Sequence, residues 1–199
     1  MSDSLLRNHK ESVLRPLGEK LQGVSPRAIT LLAFAFGIAS AGVTAFGFYT
    51  LGLGFWLVNR MLDGIDGSVA RLTGRQSDWG GYLDLLLDFI IYALIPIALV
   101  LASPSEWAYL TLALLLTSFY INSGSWLYLA ALLEKQDKSG NYKTSIVMPG
   151  GLIEGAETIL FYALFLLFPA AFVPLAAIMS VLVLVTVGQR LLWAKRHLL

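Results

Sequence analysis

Three long stretches of this chain carry no Asp, Glu, Lys or Arg: 28–59, 107–133 and 158–189. Each is longer than the about 20 apolar residues an α-helix needs to cross a bilayer. Polar and glycine-rich punctuation divides the sequence further, and spans near 28–49, 52–73, 79–102, 107–132, 148–168 and 171–193 are predicted. The breaks fall at YTLGLG, LTGRQSD, SPSE, EKQDKSGNYKTS and Phe168-Pro169. The last splits an apolar run that, as one helix, would overshoot the hydrocarbon thickness. Ser25-Pro26 supplies an N-cap followed by proline at the first helical position, so the first span starts there. Ahead of it, Leu6, Val13, Leu14, Leu17 and Leu21 recur at helical spacing among cations. That pattern predicts an interfacial helix over 1–24, bent at Pro16 and lying on an anionic leaflet; a plain polar tail is the alternative. The same segment is too polar for a signal peptide and reads as part of the mature protein. The expected fold is an all-α integral membrane protein: six transmembrane helices behind an N-terminal cytoplasmic interfacial amphipathic helix, forming a single membrane domain over 1–199.

Composition agrees. The chain is 57% hydrophobic and only 14% charged, against about 25% charged in soluble domains. With no cysteine, disulfides and thiolate metal sites are excluded. The cations fix an orientation. Arg7, Lys10, Arg15, Lys20 and Arg27 precede span one, and Arg71 and Arg75 sit between spans two and three. Lys135, Lys138 and Lys143 lie between spans four and five, and Arg190, Lys195 and Arg196 end the chain. The three alternate loops have none, and only Arg60 is mid-span. This positive-inside pattern places both termini in the cytoplasm of a multi-pass protein of the cell membrane.

Against that background, Asp63, Asp66, Asp84 and Asp88 stand out. Spacings of three and four put each pair on one helix face. A short turn joins spans two and three, so they are expected to be antiparallel neighbours with matching depths near the cytoplasmic face. Four carboxylates converging there could not all ionise bare. Two divalent cations would neutralise them, and all-oxygen ligands favour Mg²⁺, Mn²⁺ or Ca²⁺ over zinc. Buried acids paired with Arg60, Arg71 and Arg75 are the structural alternative. Surrounding small residues, Gly64, Gly67, Ala70, Gly74, Gly80 and Gly81, suggest close approach of a ligand or of a neighbouring helix. Arg71, just past one turn from Asp66, suits a phosphate.

Written out, the stretch is Asp63-x2-Asp66-Gly67-x2-Ala70-Arg71-x8-Gly80-x3-Asp84-x3-Asp88. It resembles, at every specified position, the signature of the CDP-alcohol phosphotransferase family, and six spans with cytoplasmic termini are compatible with that family. The resemblance implies transfer of a phosphatidyl group from a CDP-linked donor, often CDP-diacylglycerol, to an alcohol, with release of CMP. It implies two Mg²⁺ or Mn²⁺ ions, with Asp63, Asp66 and Asp84 as metal ligands and Asp88 as a ligand that is also the general base. Gly67, Ala70, Arg71 and Gly80 would form the nucleotide pocket. Pro26-Arg27-Ala28-Ile29-Thr30 is similar to a further family element with Arg27 in place of Asn, so only Thr30 is carried over. A homodimer is expected from the resemblance alone, and no nucleic-acid partner is expected.

The acceptor is the least constrained part. Asn122, Ser123 and Ser125 on span four, Lys143 in the loop, and Glu154 and Glu157 on span five are candidates. The glutamates share a face and would meet a cation, a set of hydroxyls, or an arginine, Arg60 or Arg190. The stretch GLIEGAETIL lacks the arginines that family members using inositol phosphate have there, which favours an uncharged polyol such as inositol, or serine. A phosphorylated acceptor remains open through Arg27 and Lys143. So does the reversed polarity, with CDP-choline or CDP-ethanolamine giving its head group to diacylglycerol. A divalent-cation channel would instead distribute acids across the membrane, and Glu106 alone lies outside.

Overall fold

The structure is a computed structural model and describes residues 19–138 and 151–198. Among the described residues it is helical throughout, with no strand. The helices are α1 (Pro26–Ala45), α2 (Tyr49–Leu72), α3 (Asp78–Ala102), α4 (Glu106–Lys138), α5 (Gly155–Leu167) and α6 (Phe172–Leu198), with a single 3-10 turn at Pro169–Ala171 before α6. Among the described residues four segments are long and apolar enough to cross a membrane: Pro26–Ala45, Asp78–Ala102, Glu106–Lys135 and Pro169–Leu198. The six expected spans are thus four by length and composition. α2 has the length, but it carries Arg60, Asp63, Asp66 and Arg71. α5 has only 13 residues, about 20 Å at ~1.5 Å per residue, short of the ~30 Å hydrocarbon core.

Two compact units emerge. The first comprises Met1–Ser105 and Tyr162–Pro169, and the second Glu106–Phe161 and Ala170–Leu199. In the first, α1 packs closely on both α2 and α3. Its buried positions, Ile29, Ala33, Gly37, Ser40, Ala41 and Thr44, form one stripe at helical spacing, and most are small, so backbones approach closely. A Cβ on Gly37 would lie 2.7 Å from the Ile91 side chain, and one on Gly52 2.2 Å from Thr44 Oγ1. Ser40 Oγ donates to the Gly52 carbonyl at 2.7 Å, and Asn59 Nδ2 to the Ala33 carbonyl at 2.8 Å. α2 and α3 do not pack backbone to backbone in this way. They are neighbours as expected, but through side chains, Arg60 with Asp88 and Tyr92 and Trp56 with Tyr92, and a cavity lies beside these contacts.

Element ends follow local chemistry. Pro26 opens α1 after Ser25 in an extended conformation, as the sequence predicts. The α1–α2 break is not YTLGLG. The chain turns at Phe46–Phe48, with Gly47 at φ +85°, and Tyr49 already begins α2. Gly52, which reads as a breaker, is instead the contact point with α1. The fifth span was expected from 148, yet α5 begins at Gly155. Leu152 and Ile153 N–H groups donate to Thr186 Oγ1 of α6, each at 3.0 Å, which holds this segment out of the helix. α4 runs on to Lys138, so Lys135 and Lys138 are helical rather than in a loop. Of the predicted interfacial helix, 1–18 lie outside the described residues; Leu21 packs against Ile29, Ile65 and Val69.

Candidate active site

The acidic motif is carried by the end of α2 and the start of α3, and the turn between them is built by its sequence. α2 closes in a Schellman arrangement: Arg75 N–H donates to the Ala70 carbonyl at 3.0 Å and Gly74 N–H to Arg71 at 3.4 Å. This needs a left-handed residue, and Gly74 has φ +63°. Ser77 then caps α3, its Oγ accepting from Gly80 N–H at 3.1 Å, with Asp78 in the positive first turn. Gly80, expected in a nucleotide pocket, therefore has a capping bond as well.

Asp63, Asp84 and Asp88 line one cavity, whose other walls include Thr30 and Phe34 of α1, Asn59 of α2 and Ile91 of α3. Asp66 is buried beside it and accepts from Thr30 Oγ1 at 2.6 Å. Thr30, chosen from sequence only by similarity, thus joins α1 to the acidic motif. Asp88 is held from α2. Arg60 Nη2 donates to its Oδ1 at 2.7 Å and Nη1 to its Oδ2 at 3.2 Å, while Asp63 Oδ2 lies 3.8 Å from Nη1.

Four carboxylates and one threonine hydroxyl make an all-oxygen donor set of the kind hard dications take. As the side chains stand, no group of three or more acidic or histidine residues among the described ones is gathered closely enough to grip an ion. The expected convergence on one spot is therefore looser than the spacing suggested. Asp66 is turned to Thr30 and Asp88 to Arg60, the direction expected of like charges that each find a nearer donor. By chemistry and shared cavity the residues fit a divalent cation.

Arg71 lies one turn beyond Gly67, and a Cβ added to Gly67 would stand 3.3 Å from Arg71 Nη1. The guanidinium is laid over the bare glycine, with Ala70 adding little bulk beside it. Gly67→Ala is expected to push that head aside. We expect a donor KM raised about tenfold, the cost of one charge-assisted hydrogen bond, with kcat little changed; steady-state kinetics read both.

The acceptor candidates fall in the second unit, except Lys143, which lies outside the described residues. Glu154 Oε1 accepts from Gly151 N–H at 2.6 Å, and Glu157 Oε2 from Glu154 N–H at 3.1 Å. The second bond is the return half of a capping box, so both glutamates organise the start of α5. Asn122 and Ser125 surround Arg190, whose Nη1 donates to Asn122 Oδ1 at 2.9 Å, to the Asn122 carbonyl at 3.1 Å and to Ser125 Oγ at 2.6 Å. Sequence reasoning named Asn122, Ser125 and Arg190 separately but did not bring them together. The signal was present: Arg190 follows the long uncharged stretch 158–189 at its last turns.

The sequence matches the profile of the CDP-alcohol phosphatidyltransferase family over residues 24–194. The chain belongs to that family. This phosphatidyltransferase is 41% identical over 170 residues to inner membrane protein YnjF of Escherichia coli K12, covering 84% of this chain and 82% of that one. It is 30% identical over 175 residues, 86% of this chain, to the bifunctional IPC transferase and DIPP synthase of Aquifex aeolicus, of whose length it spans 40%. Its fold resembles that of Mycobacterium tuberculosis phosphatidylinositol phosphate synthase solved with CDP-DAG bound (TM-score 0.69, 21% identity, 90% of this chain and 92% of that one). A second structure of that enzyme, with manganese and citrate, gives TM-score 0.68 at 21% identity, over 89% and 87% of the two chains.

Proposed function

We propose that this phosphatidyltransferase moves the phosphatidyl group of CDP-diacylglycerol to a small alcohol without phosphate, either an uncharged polyol such as inositol or an amino alcohol such as serine, and releases CMP. The observation that carries the reading is that three of the four motif carboxylates and Thr30 face a single cavity, with Arg71 on the same helix as Asp63 and Asp66. Asp63, Asp66, Asp84 and Asp88 would hold two divalent cations, Mg²⁺ or Mn²⁺. When bound, these supply positive charge against the oxygens of the donor pyrophosphate, where the reaction accumulates negative charge.

The chain's own residues do the rest. Arg71 takes a donor phosphate through its paired N–H groups. An oxygen of Asp88 accepts the proton of the acceptor hydroxyl. The freed oxygen bonds to the phosphorus of the phosphatidyl group, the bond to the bridging oxygen breaks, and CMP carries that electron pair away. The six-span reading, cytoplasmic termini and a homodimer accompany this proposal. A motif at the cytoplasmic end lets CMP leave to water while acyl chains stay in lipid.

The Arg190 cluster favours one further acceptor class. A buried guanidinium bonded to neutral oxygens of Asn122 and Ser125, with the Glu154 carboxylate as an electrostatic neighbour, offers positive charge that a phosphorylated acceptor such as glycerol phosphate or inositol phosphate would complement. One experiment covers these readings. Purified protein in mixed micelles receives Mn²⁺ and either CDP-diacylglycerol with inositol, serine, glycerol phosphate or inositol phosphate in turn, or CDP-choline with diacylglycerol. CMP release is expected with CDP-diacylglycerol and one acceptor. Release with CDP-choline and diacylglycerol only would reverse the donor assignment.

A further inference from the structure

Arg60 lies in the middle of α2, and nothing in the acidic signature specifies it. It is buried, and each part of its head is occupied. Nε donates to Asn59 Oδ1 at 2.7 Å, and Asn59 is itself tied to the Ala33 carbonyl of α1. Nη1 donates to the Tyr92 hydroxyl at 3.0 Å. The guanidinium lies 4.8 Å from the Trp56 ring and 5.2 Å from the Tyr92 ring, distances at which a cation is drawn to an aromatic face. Trp56 stacks on Tyr162 with centroids 5.2 Å apart, and the Tyr162 hydroxyl donates to the Tyr92 carbonyl. Trp56 and Arg60 are one turn apart on α2, and Asp88 and Tyr92 one turn apart on α3. The result is an aromatic slot that fixes a guanidinium before any substrate arrives.

The two bonds to Asp88 are unequal. Oδ1 is held at 2.7 Å by Nη2, whereas Oδ2 lies 3.2 Å from an Nη1 already shared with Tyr92. We propose that Arg60 is a positioning residue for the transfer reaction: it anchors Asp88 through Oδ1 and leaves Oδ2 as the oxygen that takes the acceptor proton. This rests on the reading of Asp88 as the base. Its energetic logic is that a carboxylate fixed at one oxygen loses little freedom on reaching the productive geometry, and a misplacement of ~1 Å can cost about a hundredfold in rate. Lysine in place of arginine offers a point charge without the fork that grips one oxygen and brushes the other.

The test uses the full-length protein in micelles, with kinetics, equilibrium Mn²⁺ binding followed by electron paramagnetic resonance, and thermal melting. Arg60→Lys and Arg60→Gln are expected to lower kcat by about a hundredfold. Donor KM should stay near the wild-type value and Mn²⁺ affinity should not fall, whereas Tm should drop, most in Arg60→Gln, because removing one partner of a buried ion pair is destabilising. Lysine should recover part of the loss seen with glutamine. Wild-type kcat in Arg60→Gln, or a fall in kcat matched by an equal loss of Mn²⁺ affinity, would overturn the proposal, the second because Arg60 would then only maintain the acidic site. If the Arg60 variants do not accumulate, Tyr92→Phe carries the test. It keeps the ring and removes one charge-assisted hydrogen bond that holds Arg60, so kcat should fall about fivefold at unchanged KM, only a fraction of the value of that bond because Tyr92 acts through Arg60; an unchanged kcat would overturn the proposal. The underlying reading fails separately: wild-type protein that releases no CMP from any donor would remove the reaction itself.

Discussion

Asp88→Asn should abolish turnover while leaving the protein able to bind its CDP-linked donor. General-base catalysis contributes about 10²–10⁴-fold, so CMP release is expected to fall by roughly a thousandfold. The substitution is isosteric, but an amide cannot accept a proton at the reaction's pH. It also turns an N–H₂ group toward Arg60, so one of the two contacts in the observed pair becomes donor against donor. Donor affinity, measured by equilibrium binding of labelled CDP-diacylglycerol, should change little, because Arg71 and the other three carboxylates remain. Asp66→Asn supplies the contrast. Asp66 is buried and takes the Thr30 hydroxyl at 2.6 Å, so its loss should weaken donor binding along with turnover. If Asp88→Asn lost donor affinity to the same extent as Asp66→Asn, Asp88 would be a ligand and no base.

The chemistry was more legible in the sequence than the packing. The spacing of the four aspartates, Gly67, Arg71 and Gly80 fixes their places relative to the helix ends, because each depends only on helical period and on cap chemistry. Gly74 and Ser77 mark those ends for local reasons, so the α2–α3 turn was found where expected. What a glycine or a glutamate is for was less legible. Gly52 looks the same locally whether it breaks a helix or admits a neighbouring one, and only the position of Thr44 on α1 decides. Glu154 and Glu157 were expected on one helix face, but Glu154 precedes α5, and both carboxylates bond backbone N–H groups of their own segment, a use available to any acid near a helix start. Arg60 had several acids within reach by spacing. Its choice of Asp88 comes from the Trp56–Tyr92 slot, which needs two helices in place before it exists.

Removing divalent cations should have an effect as large as losing Asp88. Two carboxylates about 6 Å apart repel by ~3 kcal/mol at an effective dielectric constant of ~20, and the motif contains four. Arg60 meets one of them, with Asp63 at its edge, and the Thr30 hydroxyl offers Asp66 a dipole and no charge. The remaining repulsion opposes binding of a doubly charged pyrophosphate, so a chelator should reduce CMP release to background. Mg²⁺ or Mn²⁺ should restore it, and Zn²⁺ should do so poorly, since no histidine or cysteine is among the candidate ligands. Stability provides a second readout that does not depend on turnover. A ligand of the folded state at a hundred times its dissociation constant adds about 2.7 kcal/mol, so Mn²⁺ should raise Tm measurably. Asp63→Asn with Asp84→Asn, which leaves Arg60 and Asp88 paired, should cancel that rise. Unchanged CMP release in chelator, together with a Tm that does not respond to Mn²⁺ in either protein, would mean that the carboxylates serve only as partners for arginine and threonine.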